Sequence, residues 1–217
     1  MINAVIFDMD GLLIDSEPFW KQAERAVYET VDVSIDDNFL RQVEGLRLDE
    51  AIQFVYDRHP FAKKTKKQVE VEIIQMMIDL IREKGKALPG VYQTLDYFKS
   101  KNIPLALASS SAEVLIQAVL KKLSLVSYFQ FTRSGQLENF GKPHPQIFIS
   151  TAQLLHVNPT QCLVFEDSLN GILAAKAARM FCIAVPDQHR FEDPRLSIAD
   201  HKIKSLIDFK EALIPLG

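Results

Sequence analysis

The sequence predicts an α/β fold: a parallel sheet with helices on both faces, carrying an all-helical block inserted after the first strand. Three observations predict it. An apolar run, Ala4-Val5-Ile6-Phe7, ends in Asp8-Met9-Asp10-Gly11. Residues from about Ser16 to Lys86 read as helices only. From Leu88-Pro89-Gly90 onward, short apolar runs alternate with helix-like stretches. Such alternation implies a parallel sheet covered by helices.

The elements follow in order. Ala4 to Phe7, rich in β-branched and aromatic residues, reads as a buried strand. Trp20, Ala23, Val27 and Tyr28 then recur at helical spacing. Val69, Ile73, Met76, Met77, Leu80 and Ile81 form an amphipathic stripe, and Thr65 with Gln68 makes a capping box at its start. The run Lys63-Lys64-Thr65-Lys66-Lys67 reads as a solvated helix entry. Strands are expected at 105–108, 129–132, 163–165 and 182–185, with a last short one starting at Ile203. Helices are expected at about 112–122, 145–155 and 169–178. The first strand must join this sheet, because alone it buries neither face. The division is therefore a Rossmann-like core of residues 1–15 and 88–217, and a helical cap of residues 16–87. The cap lies over the carboxyl end of the sheet, the position of a lid.

Polar residues close each strand. The first ends at Asp8 and Asp10, the second at Ser109-Ser110-Ser111, and the fourth at Glu166-Asp167-Ser168. Gly141-Lys142-Pro143-His144-Pro145 precedes a helix. In a parallel sheet these ends converge, because ligands bind at the carboxyl ends of the strands. Four clustered carboxylates repel by roughly 4 kcal/mol per close pair. A hard divalent cation resolves that repulsion, and Mg²⁺ suits an oxygen ligand set that shares waters with a phosphate. Lys142 and the backbone N–H groups of Ser109 and Ser110 suit a phosphoryl dianion. One carboxylate can attack phosphorus, and a neighbour can protonate the leaving alcohol and then activate water. Asp8 and Asp10 lie either on one face of an extended segment or on a tight loop beyond the strand; both arrangements allow this division of labour.

Two other motifs fail. An EF-hand needs a ligand where Leu12 stands and a helix before the loop. A P-loop over Gly135 to Lys142 is one residue too long, with Pro143 in place of the hydroxyl.

Asp8-Met9-Asp10-Gly11, Ser109, Lys142 and Glu166-Asp167-Ser168, in that order, resemble the four motifs of the haloacid dehalogenase superfamily. The match is to its phosphatase branch with a helical cap after the first motif, and it spans nearly the whole chain. The stretches DMDGLLIDSEPFW, GLRLDE, GKPHPQIF and EDSLNGILAAKAARM look closest to enzymes acting on hexitol phosphates or 2-deoxyglucose 6-phosphate. The resemblance implies that Asp8 is the nucleophile and a Mg²⁺ ligand. It implies that Asp10 is the general acid/base and binds the metal through its backbone carbonyl. Ser109 binds the phosphoryl group, and Lys142 stabilises charge on Asp8 and the phosphoryl oxygens. Asp167 is a metal ligand, and Glu166 acts through a metal-bound water. Dehalogenases of the superfamily lack the second aspartate, so Asp10 argues against dehalogenation. Phosphonatases need a cap lysine that has no counterpart motif here.

In the cap, Arg47 reads equally as a contact to substrate phosphate or sugar and as a partner in a cap-internal salt bridge. Glu17 and Trp20 follow the hinge and are placed to face substrate, with core packing the stronger reading for Trp20. His59 and His144 read as structural, and Asn170 as a helix-start residue.

The expected activity is Mg²⁺-dependent hydrolysis of small sugar or polyol phosphate monoesters through an aspartyl-phosphate. The alternatives are a sugar phosphomutase of β-phosphoglucomutase type and, remotely, a non-catalytic binding protein. Bulk properties agree. The 217 residues are 47% apolar with a net charge of −3, which gives a real core and no pull toward nucleic acid. No apolar run reaches the ~18 residues of a membrane span. The N-terminus lacks a signal-peptide pattern, and Cys162 and Cys182 read as small buried hydrophobes. The expectation is a cytoplasmic monomer acting on a small phosphorylated substrate.

Overall fold

The computed structural model describes residues 2–43 and 45–214. Met1, Glu44 and residues 215–217, which the sequence assigns to core and cap, lie outside the described residues. Strand β1 (Ala4–Phe7) is followed by helices α1 (Glu17–Glu29), α2 (Asp37–Val43), α3 (Leu48–Arg58) and α4 (Lys66–Lys84). Then come α5 (Val91–Ser100), β2 (Leu105–Ser109), α6 (Glu113–Lys122), β3 (Phe131–Ser134) and α7 (Gln146–Leu154). The chain continues through β4 (Cys162–Glu166), α8 (Leu169–Ala177), β5 (Phe181–Ala184) and β6 (His201–Lys202).

All six strands run parallel in the order β3-β2-β1-β4-β5-β6. The order reverses between β1 and β4, which opens a crevice at their carboxyl ends. β1, β2 and β4 are buried throughout, because helices cover both faces. Alternation along each strand divides the core. Val5, Phe7, Leu107 and Phe165 point to one side with α5 and α6. Ala4, Ile6, Ala106 and Val164 point to the other with α7 and α8. On the first side Phe7 stacks on Phe165, ring centroids 4.9 Å apart, and this pair ties β1 to β4 directly beneath the crevice.

Four of the described helices, α1 to α4, lie between β1 and α5 in the chain. α4 begins as its sequence predicts: Gln68 N donates to Thr65 Oγ1 at 3.2 Å, and Thr65 N donates to Gln68 Oε1 at 2.8 Å. Its buried face is Val69, Ile73, Met77, Leu80 and Ile81, packed on α1 and α3. α1 starts with Pro18 in its first turn, where a missing N–H is harmless. The segments entering and leaving this block run side by side: Leu88 N donates to Leu13 O at 3.1 Å, and Ile14 bridges to Ala87.

Three expectations shift. The third strand is Phe131–Ser134 rather than 129–132. Tyr128 still belongs to the preceding turn, and Phe129, just after it, packs edge-on against Phe7. The last strand is His201–Lys202, ending one residue before Ile203. Helix α5 has no counterpart in the sequence reading. Both cysteines are buried and unbonded, and no helix among the described residues is long and apolar enough to cross a membrane.

Candidate active site

Asp8 is the residue immediately after β1, and its backbone N–H donates to Phe165 O at 3.0 Å. The parallel register Phe7↔Phe165 therefore sets Asp8 beside Glu166 and Asp167 at the end of β4. Carboxylate oxygens of Asp8, Glu166 and Asp167 lie within 4.8 Å of one another. Lys142, which precedes α7, enters from below with 3% of its surface exposed. Its Nζ donates to Asp8 Oδ1 at 2.7 Å, to Glu166 Oε1 at 2.5 Å and to Ala108 O at 3.3 Å. The other oxygen of Glu166 accepts from Ser168 N at 2.9 Å and from Ser168 Oγ at 3.0 Å. Ser168 also caps α8, accepting from Gly171 N; Asn170 sits one turn position inside that helix. Gly11 and Gly171 make room for this cluster. Gly11 has φ of 70°, and a Cβ there would collide with the Asp167 carboxylate; a Cβ on Gly171 would collide with Glu166.

Three carboxylates facing one ammonium leave two negative charges in excess if all ionise. Burial pushes the Asp8 carboxyl up to about 7, against the pull of Lys142 and with help from Glu166 and Asp10. Burial likewise raises Asp167 well above the usual range, reinforced by Glu166 and Asp8. Burial works against the charge of Lys142, but Asp8 and Glu166 hold its pKa above the ordinary lysine value.

Asp10 stands apart from this cluster. Its Oδ1 accepts from Ser16 Oγ at 2.6 Å and from Trp20 Nε1 at 3.1 Å. Its Oδ2 accepts from Ser111 Oγ at 2.7 Å and from Ser109 Oγ at 3.4 Å. Four donors from α1, its cap position and the end of β2 thus hold one carboxylate in one orientation. Ser110 Oγ turns instead to Gly45 O, at 3.1 Å, joining the β2 loop to the helical block.

Asp8, Asp10, Ser109, Ser110, Lys142, Glu166 and Asp167 all line one cleft. Arg47 does not line it. Its guanidinium pairs with Asp49 at 2.7 Å and donates to Glu138 O at 2.7 Å, so it links the helical block to the loop after β3. Trp20 lines the cleft, with only part of its surface in the core. His144 Nδ1 accepts from Gln146 N in the turn before α7, and His59 packs edge-on against Phe39.

The sequence reading placed Ser111 at the polar end of the second strand without a role of its own, and passed over Ser16 and Glu24 as site residues. Both serines reach Asp10 only through the tertiary fold; the strand-end position marks Ser111, and nothing local marks Ser16. Glu24 carried a signal: it is a carboxyl group inside the apolar stripe Trp20, Ala23, Val27, Tyr28, and it proves to be buried and to face the cleft.

Residues 2–179 match the family model described as haloacid dehalogenase-like hydrolase. The chain belongs to the haloacid dehalogenase-like hydrolases. Among members of this hydrolase family, hexitol phosphatase B of Escherichia coli K12 is 39% identical over 208 residues, covering 95% of this chain and 94% of that protein. A phosphorylated carbohydrates phosphatase of Thermotoga maritima is 34% identical, covering 82% of each. A crystal structure of β-phosphoglucomutase from Clostridium difficile superposes with a TM-score of 0.85 at 30% identity, covering 98% of this chain and 95% of that one.

Proposed function

We propose that this hydrolase removes phosphate from small sugar or polyol phosphate monoesters, of the hexitol phosphate or 2-deoxyglucose 6-phosphate type, through a phospho-Asp8 intermediate. The family and its phosphatase-named relatives make the chain a phosphoric monoester hydrolase. The observation that carries the finer reading is the Lys142 contact to Asp8 at the floor of the cleft. It fixes one carboxylate oxygen and balances charge there, leaving the other oxygen for in-line attack on phosphorus.

The donor set fits the family's divalent cation. Asp8 and Asp167 offer hard oxygens, Glu166 acts through a water, and the excess negative charge equals that of one such ion. Mg²⁺ held there would neutralise the carboxylates and draw charge from the phosphoryl oxygens. The chain's own residues carry the rest. Asp8 attacks phosphorus as the ester bond to the alcohol breaks. Asp10, oriented by Ser16, Trp20 and Ser111, gives the departing oxygen its proton. The Asp10 carboxylate then takes a proton from a water that attacks phospho-Asp8, releasing phosphate and restoring Asp8. Ser109 and Lys142 hold the phosphoryl oxygens. Helices α1 to α4 act as the lid that excludes bulk water.

Phosphate release from a panel of hexitol, hexose and nucleotide monophosphates with Mg²⁺ tests this. The expected result is highest kcat/KM on a hexitol or deoxyhexose phosphate, and none with Asp8→Asn. Near-normal turnover by Asp8→Asn removes the mechanism. The likeness to β-phosphoglucomutase supports a second reading as a mutase; turnover that requires a sugar bisphosphate selects it.

A further inference from the structure

Helix α1 presents Glu17, Trp20 and Glu24 at spacings of three and four residues, so they share one face. All three line the cleft that ends at Asp8 and Lys142. Glu24 is only 8% exposed, and the same cleft is lined by the apolar Leu40, Val43, Leu48 and Ala51. Glu17 pairs with Lys21 at 3.7 Å. Glu24 has no hydrogen-bond or ion-pair partner among the described residues. Its oxygens are not among the fully enclosed atoms left without a partner; they open onto the cleft, where a polar group so little exposed gains from a hydrogen-bond partner. A group of this kind that faces a substrate cleft is a group whose partner arrives with the substrate.

The chemistry of that partner follows from the charge. Burial and the neighbouring Glu17 push the Glu24 carboxyl up to about 8. At neutral pH it keeps its proton and offers both a donor and an acceptor. A second phosphoryl group at this end would meet two carboxyl groups, and a cation would find no formal charge on Glu24. Neutral hydroxyls satisfy both atoms.

We propose that Glu24 is a specificity-determining residue that hydrogen-bonds hydroxyl groups of the leaving sugar or polyol while the phosphoryl end lies on Asp8. The inference rests on the phosphatase reading above.

The test compares kcat/KM for sorbitol 6-phosphate or 2-deoxyglucose 6-phosphate, whichever is turned over faster, with that for phenyl phosphate, which has no hydroxyls. It uses wild type, Glu24→Leu, Glu24→Ala and Glu24→Gln with Mg²⁺ present. Expected is a fall in the polyol-to-phenyl ratio of at least about tenfold in the Leu and Ala variants, carried mainly by KM. Glu24→Gln, which keeps a donor and an acceptor, holds most of the ratio. Glu24→Leu melts at or above the wild-type temperature, because it replaces a desolvated carboxyl with an apolar side chain in a cleft lined by Leu40 and Val43. An unchanged ratio in the Ala and Leu variants overturns the inference. So does a lowered melting temperature in both, which makes Glu24 a structural residue, or a wild-type preference for phosphoethanolamine. Wild type that hydrolyses no ester at all fails the phosphatase reading instead, so the two failures are distinguishable.

Discussion

The ammonium of Lys142 lies 2.5 Å from a carboxylate oxygen of Glu166, and the side chains are 2% and 0% exposed. The same ammonium reaches Asp8 at 2.7 Å. One buried cation thus ties the end of β1 to the end of β4, and it does so at the crevice where the sheet order reverses. Lys142→Met strands two carboxylates in an apolar setting. Losing one partner of a buried pair costs about 3–5 kcal/mol, which lowers the melting temperature of a chain this size by about 6–20 °C. Millimolar Mg²⁺ should recover part of the loss by supplying positive charge. Thermal melts with and without Mg²⁺ check this; a metal-free variant as stable as wild type contradicts it.

Metal binding should depend on pH through Asp8. Without metal its carboxyl titrates at about 7, above the unfolded value of 3.8. The folded chain therefore holds a proton that the unfolded chain releases, so Asp8 favours folding below about pH 4 and loses that contribution as pH rises through about 7. A bound divalent ion needs the ionised form. The rise in melting temperature on adding Mg²⁺ should accordingly be larger at pH 8 than at pH 6. Asp167→Asn should weaken Mg²⁺ binding by about 10-fold or more, which titration calorimetry reads directly. An equal Mg²⁺ effect at both pH values, or an unaffected Asp167→Asn, would contradict the shared site.

The cradle around Asp10 predicts a kinetic split. Ser16 and Ser111 donate to opposite oxygens of Asp10, at 2.6 and 2.7 Å. In the proposed mechanism they orient the acid without supplying the proton. Ser111→Ala should lower kcat by about 10-fold with little change in KM, and shift the pH profile of kcat. Ser16→Ala should behave alike. A change confined to KM would place the serines on the substrate rather than on Asp10.

Most of the α/β architecture and much of the acidic cluster were legible for one reason: each sits where an apolar run stops. Asp8 after Ala4-Val5-Ile6-Phe7 and Glu166-Asp167 at the end of Cys162–Glu166 are carboxylates at strand mouths, and parallel pairing brings such ends together. Lys142 was legible only through its place before a helix and through the family likeness; its burial under β1 and β4 is a tertiary fact. Ser16, Ser111 and Trp20 converge on Asp10 from segments 6 to 101 residues away, and no local pattern announces that. Arg47 shows the converse. Its surroundings in sequence left its partner open, and the fold settles its contacts on Asp49 and the loop carbonyl of Glu138. Helix α5 escaped because it follows Pro89-Gly90 at once, and those residues read as a boundary rather than as a helix start.

Tyr28 lies one turn beyond Glu24 on α1, 1% exposed, and its hydroxyl has no hydrogen-bond partner among the described residues. Burial raises its pKa, and Glu24, once ionised in the alkaline range, raises it further, so the phenol stays neutral. The ring fills the core between α1 and its neighbours, but the oxygen gives up its water without compensation. Tyr28→Phe keeps the ring and removes the unpaired atom. Removing an unsatisfied buried hydroxyl relieves a penalty of about 1–3 kcal/mol, so the variant should melt about 2–12 °C higher than wild type. The Glu24 carboxyl, one turn away, still faces the cleft, so the polyol-to-phenyl kcat/KM ratio should hold. A lower melting temperature would mean the hydroxyl has a bound partner, and a changed ratio would mean that partner belongs to the substrate.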